Sequence, residues 1–217
     1  MLSGAASRPV TVAAMRGLFV TFEGIDRSGK TTQARLLADA LGDRAVAVRE
    51  PGGTPVGEQV RSLLKDPEVE IGAHAEALLF AAARAELVAR VIRPALADAR
   101  VVVCDRFLDS SLAYQGEARG LGVEEVARIN RWATGGLVPD LTFLLVLPPA
   151  AAAARGSEDD RFESEGASLQ ERVLAAYERL AAEEPARWRR IEADRPPAEV
   201  HADVLVEVEA ALAEVVA

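Results

Sequence analysis

Eight consecutive residues constrain this chain more than any others: Gly24-Ile25-Asp26-Arg27-Ser28-Gly29-Lys30-Thr31 fits G-x-x-x-x-G-K-[ST] at every fixed position. The run before it, Leu18-Phe19-Val20-Thr21-Phe22, is apolar and rich in strand formers. After it, Leu36, Leu37 and Leu41 recur at helical spacing. A glycine-rich turn between a strand and a helix aims backbone N–H groups inward at the positive end of the helix dipole, where phosphate oxygens are favoured. Lys30 is then placed to reach β- and γ-phosphates and the Thr31 hydroxyl to ligate Mg²⁺. The implied ligands are a nucleoside triphosphate and Mg²⁺, held by residues 24–32, Thr32 included. A glycine turn that merely happens to carry a lysine would not need the flanking strand and helix.

The rest of the chain keeps the same alternation. Strands are expected at Ala45–Arg49, Val101–Asp105, Leu141–Leu147 and Trp188–Ile191. Helices are expected at Gly57–Lys65, Ser110–Gln115, Val123–Trp132, Pro148–Arg155, Leu169–Glu183 and Glu199–Val216. A long one at His74–Ala99 should kink or break at Pro94. Strand-helix alternation predicts an α/β fold with three layers, a central parallel sheet of about five strands flanked by helices. Residues 15–217 read as a single domain, and residues 1–14 as a disordered N-terminal extension. Residues from about 155 to 166, charged and bounded by Gly156 and Gly166, read as a short lid.

Charge narrows the partners. The net charge of −9 opposes binding to a nucleic-acid polymer, which needs clustered cations. No uninterrupted apolar run is long enough for a membrane span, and the N-terminus lacks the pattern of a secretory signal. The expected location is cytoplasmic. Cys104 is the single cysteine, which excludes an intrachain disulfide, and it reads as a small core residue behind Val101–Val103. No N-K-x-D segment accompanies the phosphate loop, so a guanine-reading switch protein is poorly supported.

Asp105-Arg106-Phe107-Leu108-Asp109-Ser110-Ser111-Leu112-Ala113-Tyr114-Gln115 is the second informative segment. An aspartate ending an all-apolar strand lies at the carboxyl edge of the sheet, where open α/β folds bind ligands. There Asp105 can orient Mg²⁺, and Arg106 offers a planar fork for a phosphate. Pairing of these two residues with each other, as a plain strand cap, explains them equally well when they are taken alone.

The segment resembles the D-R-[YF]-x-x-S-x-x-A-Y-Q motif of thymidylate kinases at every fixed position. F-E-G-x-[DE] stands at Phe22–Asp26, T-T-Q at Thr31–Gln33, R-E-P-G-G-T at Arg49–Thr54, L-L-F-A-A-x-R at Leu78–Arg84 and D-R-x-E at Asp160–Glu163. The resemblance runs in order from about Arg16 to the C-terminus. It implies a homodimeric kinase that moves the γ-phosphoryl group of MgATP onto dTMP for dTTP synthesis.

The resemblance also implies roles. Phe80 would stack on thymine, and Arg84, one turn on, would donate to a thymine carbonyl. Ser111 and Gln115 would meet the base edge, and Tyr114 would lie against the deoxyribose. Arg61 and Arg106 would hold the dTMP phosphate, with Asp26 or Glu50 near the sugar and magnesium. Lys30, Arg27, Asp105, Arg106 and Arg161 form the catalytic set, in which Arg27 is favoured for the transition state with Arg161 in support. Arg155 and Arg161 alternatively pair with Glu158, Asp159 and Asp160. Val146 stands where the family commonly has a carboxylate. Competing functions are a kinase for another nucleotide or nucleoside and a catalytically silent nucleotide-binding module.

Overall fold

The computed structural model describes residues 16–156 and 167–216. Strands β1 (Leu18–Glu23), β2 (Ala45–Arg49), β3 (Val101–Asp105), β4 (Leu141–Val146) and β5 (Trp188–Glu192) form one parallel sheet in the order β2-β3-β1-β4-β5. Every residue of β1 and β4 is buried, as strands covered on both faces require. The edge strands β2 and β5 are partly open. Helices α1 (Lys30–Leu41) and α9 (Pro197–Val216) pack on each other and against the sheet. Helices α4 (Arg93–Ala97) and α8 (Ala167–Glu183) also pack against it. Phe22 stacks on Phe143 across β1 and β4 at 5.2 Å, and Phe19 meets Phe107 edge-on at 4.9 Å.

From β1 the chain crosses to the edge strand β2, returns to β3 between them, and then continues to β4 and β5 on the other side, so the connections leave β1 and β3 in opposite directions. Such a switch opens a crevice at the carboxyl ends of the strands. Register puts Phe22, Arg49 and Asp105 at one level, so Glu23, Glu50 and Arg106 all emerge at this edge.

Local chemistry sets the helix boundaries. Helix α2 (Pro55–Lys65) starts two residues earlier than the sequence suggests, because the Thr54 hydroxyl caps the Gly57 N–H at 3.0 Å and Pro55 suits the first turn. The long helix expected over 74–99 is divided. Helix α3 (Ala73–Leu87) runs into a π-helical turn, Val88–Ile92, before α4, which carries Pro94. A widened turn accommodates the residue that cannot donate to the helical ladder. A second π-helical turn, Leu112–Ala118, follows the short α5 (Leu108–Ser111). Helix α6 (Val123–Thr134) ends at Gly135, whose positive φ provides the left-handed cap, and α7 (Pro149–Ala154) follows β4.

Candidate active site

The loop from Gly24 to Thr31 joins β1 to α1. Gly24 has φ 141°, and a Cβ there would lie 2.6 Å from the Leu145 carbonyl oxygen, so no larger residue fits. Arg27 adopts the left-handed region at φ 62°, and Gly29 at φ 102° immediately precedes α1. Among the described residues no side chain caps α1, which leaves its first N–H groups for an anion. The Lys30 ammonium rests on the Ile25 carbonyl at 2.6 Å. Burial, helped by Arg106, lowers its pKa to about 8. Arg155, beyond α7, donates to the carbonyls of Arg27 at 3.1 Å and Ala193 at 2.9 Å, tying the loop to the segment after β5.

A cavity of about 510 Å³ opens from this loop along the sheet edge. Its lining includes Lys30, Thr31 and Asp105 together with Phe80, Ser111, Tyr114 and Gln115. Arg27, Glu50, Arg61 and Arg106 line it as well. Asp105 and Arg106 do not pair with each other. Instead Thr31 Oγ1 donates to Asp105 Oδ2 at 2.5 Å, and Arg106 forms an ion pair with Asp26. Arg106 also donates to the Gly24 carbonyl at 3.1 Å, and its guanidinium carbon lies 5.3 Å from the Tyr114 ring centre. Arg61 donates to the Pro51 carbonyl at 2.9 Å.

Asp26 is held from several sides. Gln170 of α8 accepts from the Asp26 N–H at 3.1 Å and donates to its carboxylate at 2.8 Å. Burial alone would raise the Asp26 carboxyl. Arg106, Lys30, Gln170 and Tyr114 outweigh it and keep the carboxyl below its ordinary pKa.

A second set of buried charges supports the site, and of these Glu50 also lines the cavity. Glu23 accepts from the Phe107 N–H at 2.8 Å, Ser110 at 2.6 Å and Tyr177 at 2.9 Å. Burial, with Asp109 nearby, still raises its pKa to about 7. Glu50 is likewise raised to about 7 by burial, against the pull of Arg84, and among the described residues its Oε1 has no hydrogen-bond partner. Asp109 is fully buried and paired bidentately with Arg187 at 2.8 Å on both oxygens, while Arg187 also donates to Thr142 Oγ1 at 2.9 Å. Cys104 is a core residue, and burial raises its thiol.

Arg84 departs from the sequence expectation. It is 1% exposed and lies under the cavity, outside its lining. Its Nε and Nη2 meet Glu50 at 2.7 and 2.6 Å, Nη1 meets Ser111 at 3.1 Å and Asn130, and Nη2 also meets the Phe107 carbonyl at 3.1 Å. Four of its five N–H groups donate to protein acceptors and Nη2 is also ion-paired with Glu50, which offsets the cost of burying a guanidinium. Arg161 and the lid acids Glu158, Asp159 and Asp160 lie outside the described residues, as do residues 1–14. Sequence reading missed Gln170 and Tyr177. Their seven-residue spacing on α8, two helical turns on one face, was the available signal.

The comparisons with known proteins agree with one another. A family model described as thymidylate kinase matches residues 22–204. The thymidylate kinase of Pelotomaculum thermopropionicum is 48% identical over 206 residues, covering 91% of this chain and 95% of the relative. That of Desulforudis audaxviator is 50% identical over 188 residues, covering 83% and 85%. The crystal structure of thymidylate kinase from Ehrlichia chaffeensis superposes with a TM-score of 0.74 at 32% identity, covering 89% of this chain and 99% of that one.

Proposed function

From the premise that the chain belongs to the thymidylate kinase family, we propose that it transfers the γ-phosphoryl group of MgATP to dTMP, giving dTDP and ADP in dTTP synthesis. The observation that carries this reading is a cavity lined both by phosphate-loop residues and by Phe80, Ser111, Tyr114 and Gln115. Aromatic rings at Phe80 and Tyr114, polar groups at Ser111 and Gln115 and a phosphate cradle in one cavity suit a nucleoside monophosphate laid beside a triphosphate.

Thr31 and Asp105 bring two hard oxygen ligands together at the loop, a donor set that fits Mg²⁺. When bound there, the metal supplies neutralisation of phosphate charge. Lys30 and the uncapped N–H groups of α1 bind the donor phosphates, which lets the ammonium leave the Ile25 carbonyl. Arg106 and Arg61 bind the acceptor phosphate, and Asp26, kept anionic, lies near the sugar hydroxyl. Phe80 stacks on the base, and Tyr114 packs along the deoxyribose, leaving little room for a ribose hydroxyl. Arg84 acts from below, holding Glu50 and Ser111 in place. Arg27 faces the cavity and is assigned to the charge that develops in the loose transition state, with Arg161 in support.

A homodimer in the cytoplasm completes the reading. The exposed face of α3 and α6 supports it: Leu78 is 56% and Trp132 87% exposed, around a cavity of about 590 Å³ floored by Ala81, Ala82 and Ala85. Among the described residues, no helix is long and apolar enough to cross a membrane. One hydrophobic core runs from Leu18 to Val208, in support of a single domain.

The test is ADP formation with MgATP and a panel of dTMP, dUMP, dCMP, dGMP and AMP, with Lys30→Ala as control. Preference for dTMP that vanishes in the control is expected. Turnover of another acceptor in preference would reassign the base pocket, and ATP binding without turnover would make the chain a silent module.

A further inference from the structure

Glu76, Phe80 and Arg84 stand at successive turns on one face of α3, and only Phe80 lines the cavity. The two charged neighbours are 1% exposed and point at the polar groups that do line it. Gln115 Nε2 donates to Glu76 Oε1 at 2.9 Å. Arg119 holds the same carboxylate, Nε to Oε1 at 3.2 Å and Nη2 to Oε2 at 3.3 Å.

A carboxylate only accepts, so the nitrogen end of the Gln115 amide must face Glu76. Its carbonyl oxygen is then the end left for the cavity. Arg84 imposes the opposite polarity on the neighbouring group. A guanidinium only donates, so Ser111 Oγ accepts from it at 3.1 Å and keeps its own proton to give.

The geometry points to Glu76 as a specificity-determining positioning residue, which locks the Gln115 amide so that the cavity offers an acceptor at Gln115 beside a donor at Ser111. This inference rests on the dTMP reading. Thymine presents an N3–H donor next to the O4 acceptor, which is complementary to that pair. Cytosine presents a bare N3 next to an amino group, which opposes it at both positions. Discrimination of this kind is strong, because a mismatched base leaves buried polar groups unpaired.

The experiment compares kcat/KM for dTMP and dCMP in the full-length chain. Glu76→Gln keeps the shape but donates as well as accepts, so it no longer forces the amide one way. The dTMP-over-dCMP ratio is expected to fall by roughly tenfold, the scale of one hydrogen bond. The change should lie in the KM for dTMP, with the KM for ATP unmoved. Gln115→Met removes both ends of the amide, and in that background Glu76→Gln is expected to change the ratio no further. An unchanged ratio in folded Glu76→Gln overturns the inference, as does an equal effect with Gln115 absent. If Glu76→Gln does not fold, Glu76→Met, which cannot accept from the Gln115 amide, takes its place, and an unchanged ratio in that variant again overturns the inference. Wild-type preference for dCMP would overturn the dTMP reading as well, whereas a dTMP kinase indifferent to residue 76 overturns this inference alone.

Discussion

Thr31 Oγ1 donates to Asp105 Oδ2 at 2.5 Å, joining the first turn of α1 to the carboxyl end of β3. Both oxygens belong to the proposed magnesium set. Asp105→Asn keeps the shape but removes the charge, and is expected to lower kcat on the order of 100- to 1,000-fold. Thr31→Ser, which retains the hydroxyl, should stay within about threefold of wild type, since its metal ligand remains. Steady-state ADP release over a Mg²⁺ titration checks both.

Lys30 titrates at about 8, below its ordinary 10.5. Its ammonium is therefore charged below that pH and neutral above it, and a neutral amine does not attract phosphate. The Kd for MgATP is expected to be flat on the acid side of pH 8 and to rise by up to about tenfold per pH unit beyond it. Lys30→Met should bind weakly throughout and lack this slope, as read by calorimetric titration.

Glu23 and Glu50 both rise from 4.5 to about 7 in the folded chain. The folded state thus holds protons that the unfolded state has released. Their contribution to stability is complete below about pH 4.5 and is lost as pH rises toward about 7. Urea midpoints should accordingly fall between about pH 5 and about pH 7.5. Glu50→Gln should make that decline shallower, and an equally steep decline in this variant would exclude Glu50 as a source.

Arg187 and Asp109 form a buried bidentate pair. Arg187→Ala leaves a fully buried carboxylate unpaired and is expected to cost about 3–5 kcal/mol. Equilibrium unfolding measures this directly.

What could be read in the sequence follows from how far apart the cooperating residues lie. The phosphate loop was legible because Gly24, Gly29, Lys30 and Thr31 are chain neighbours whose geometry depends on one turn. The five strands were legible because an apolar run between turn residues identifies itself locally. The place of Arg84 was not legible, since its acceptors come from Glu50, Phe107, Ser111 and Asn130, which only the fold assembles. The Asp109–Arg187 pair spans 78 residues and has no local signature. Pro94 marked a break in the 74–99 helix, but a π-helical turn has no hydrophobic period of its own, so its form at Val88–Ile92 was hidden.

The two tryptophans sit in opposite surroundings. Trp132 projects from α6 into solvent, whereas Trp188 is buried with Arg187 5.0 Å from its ring centre. Their emission therefore reports separate events. A red-shifted, readily quenched component belongs to Trp132 and should move to the blue when a second subunit covers the α3 and α6 face. The component shielded from quencher belongs to Trp188 and survives until the sheet itself opens. Intrinsic fluorescence thus distinguishes dissociation of the proposed dimer from unfolding of its subunits without any added label.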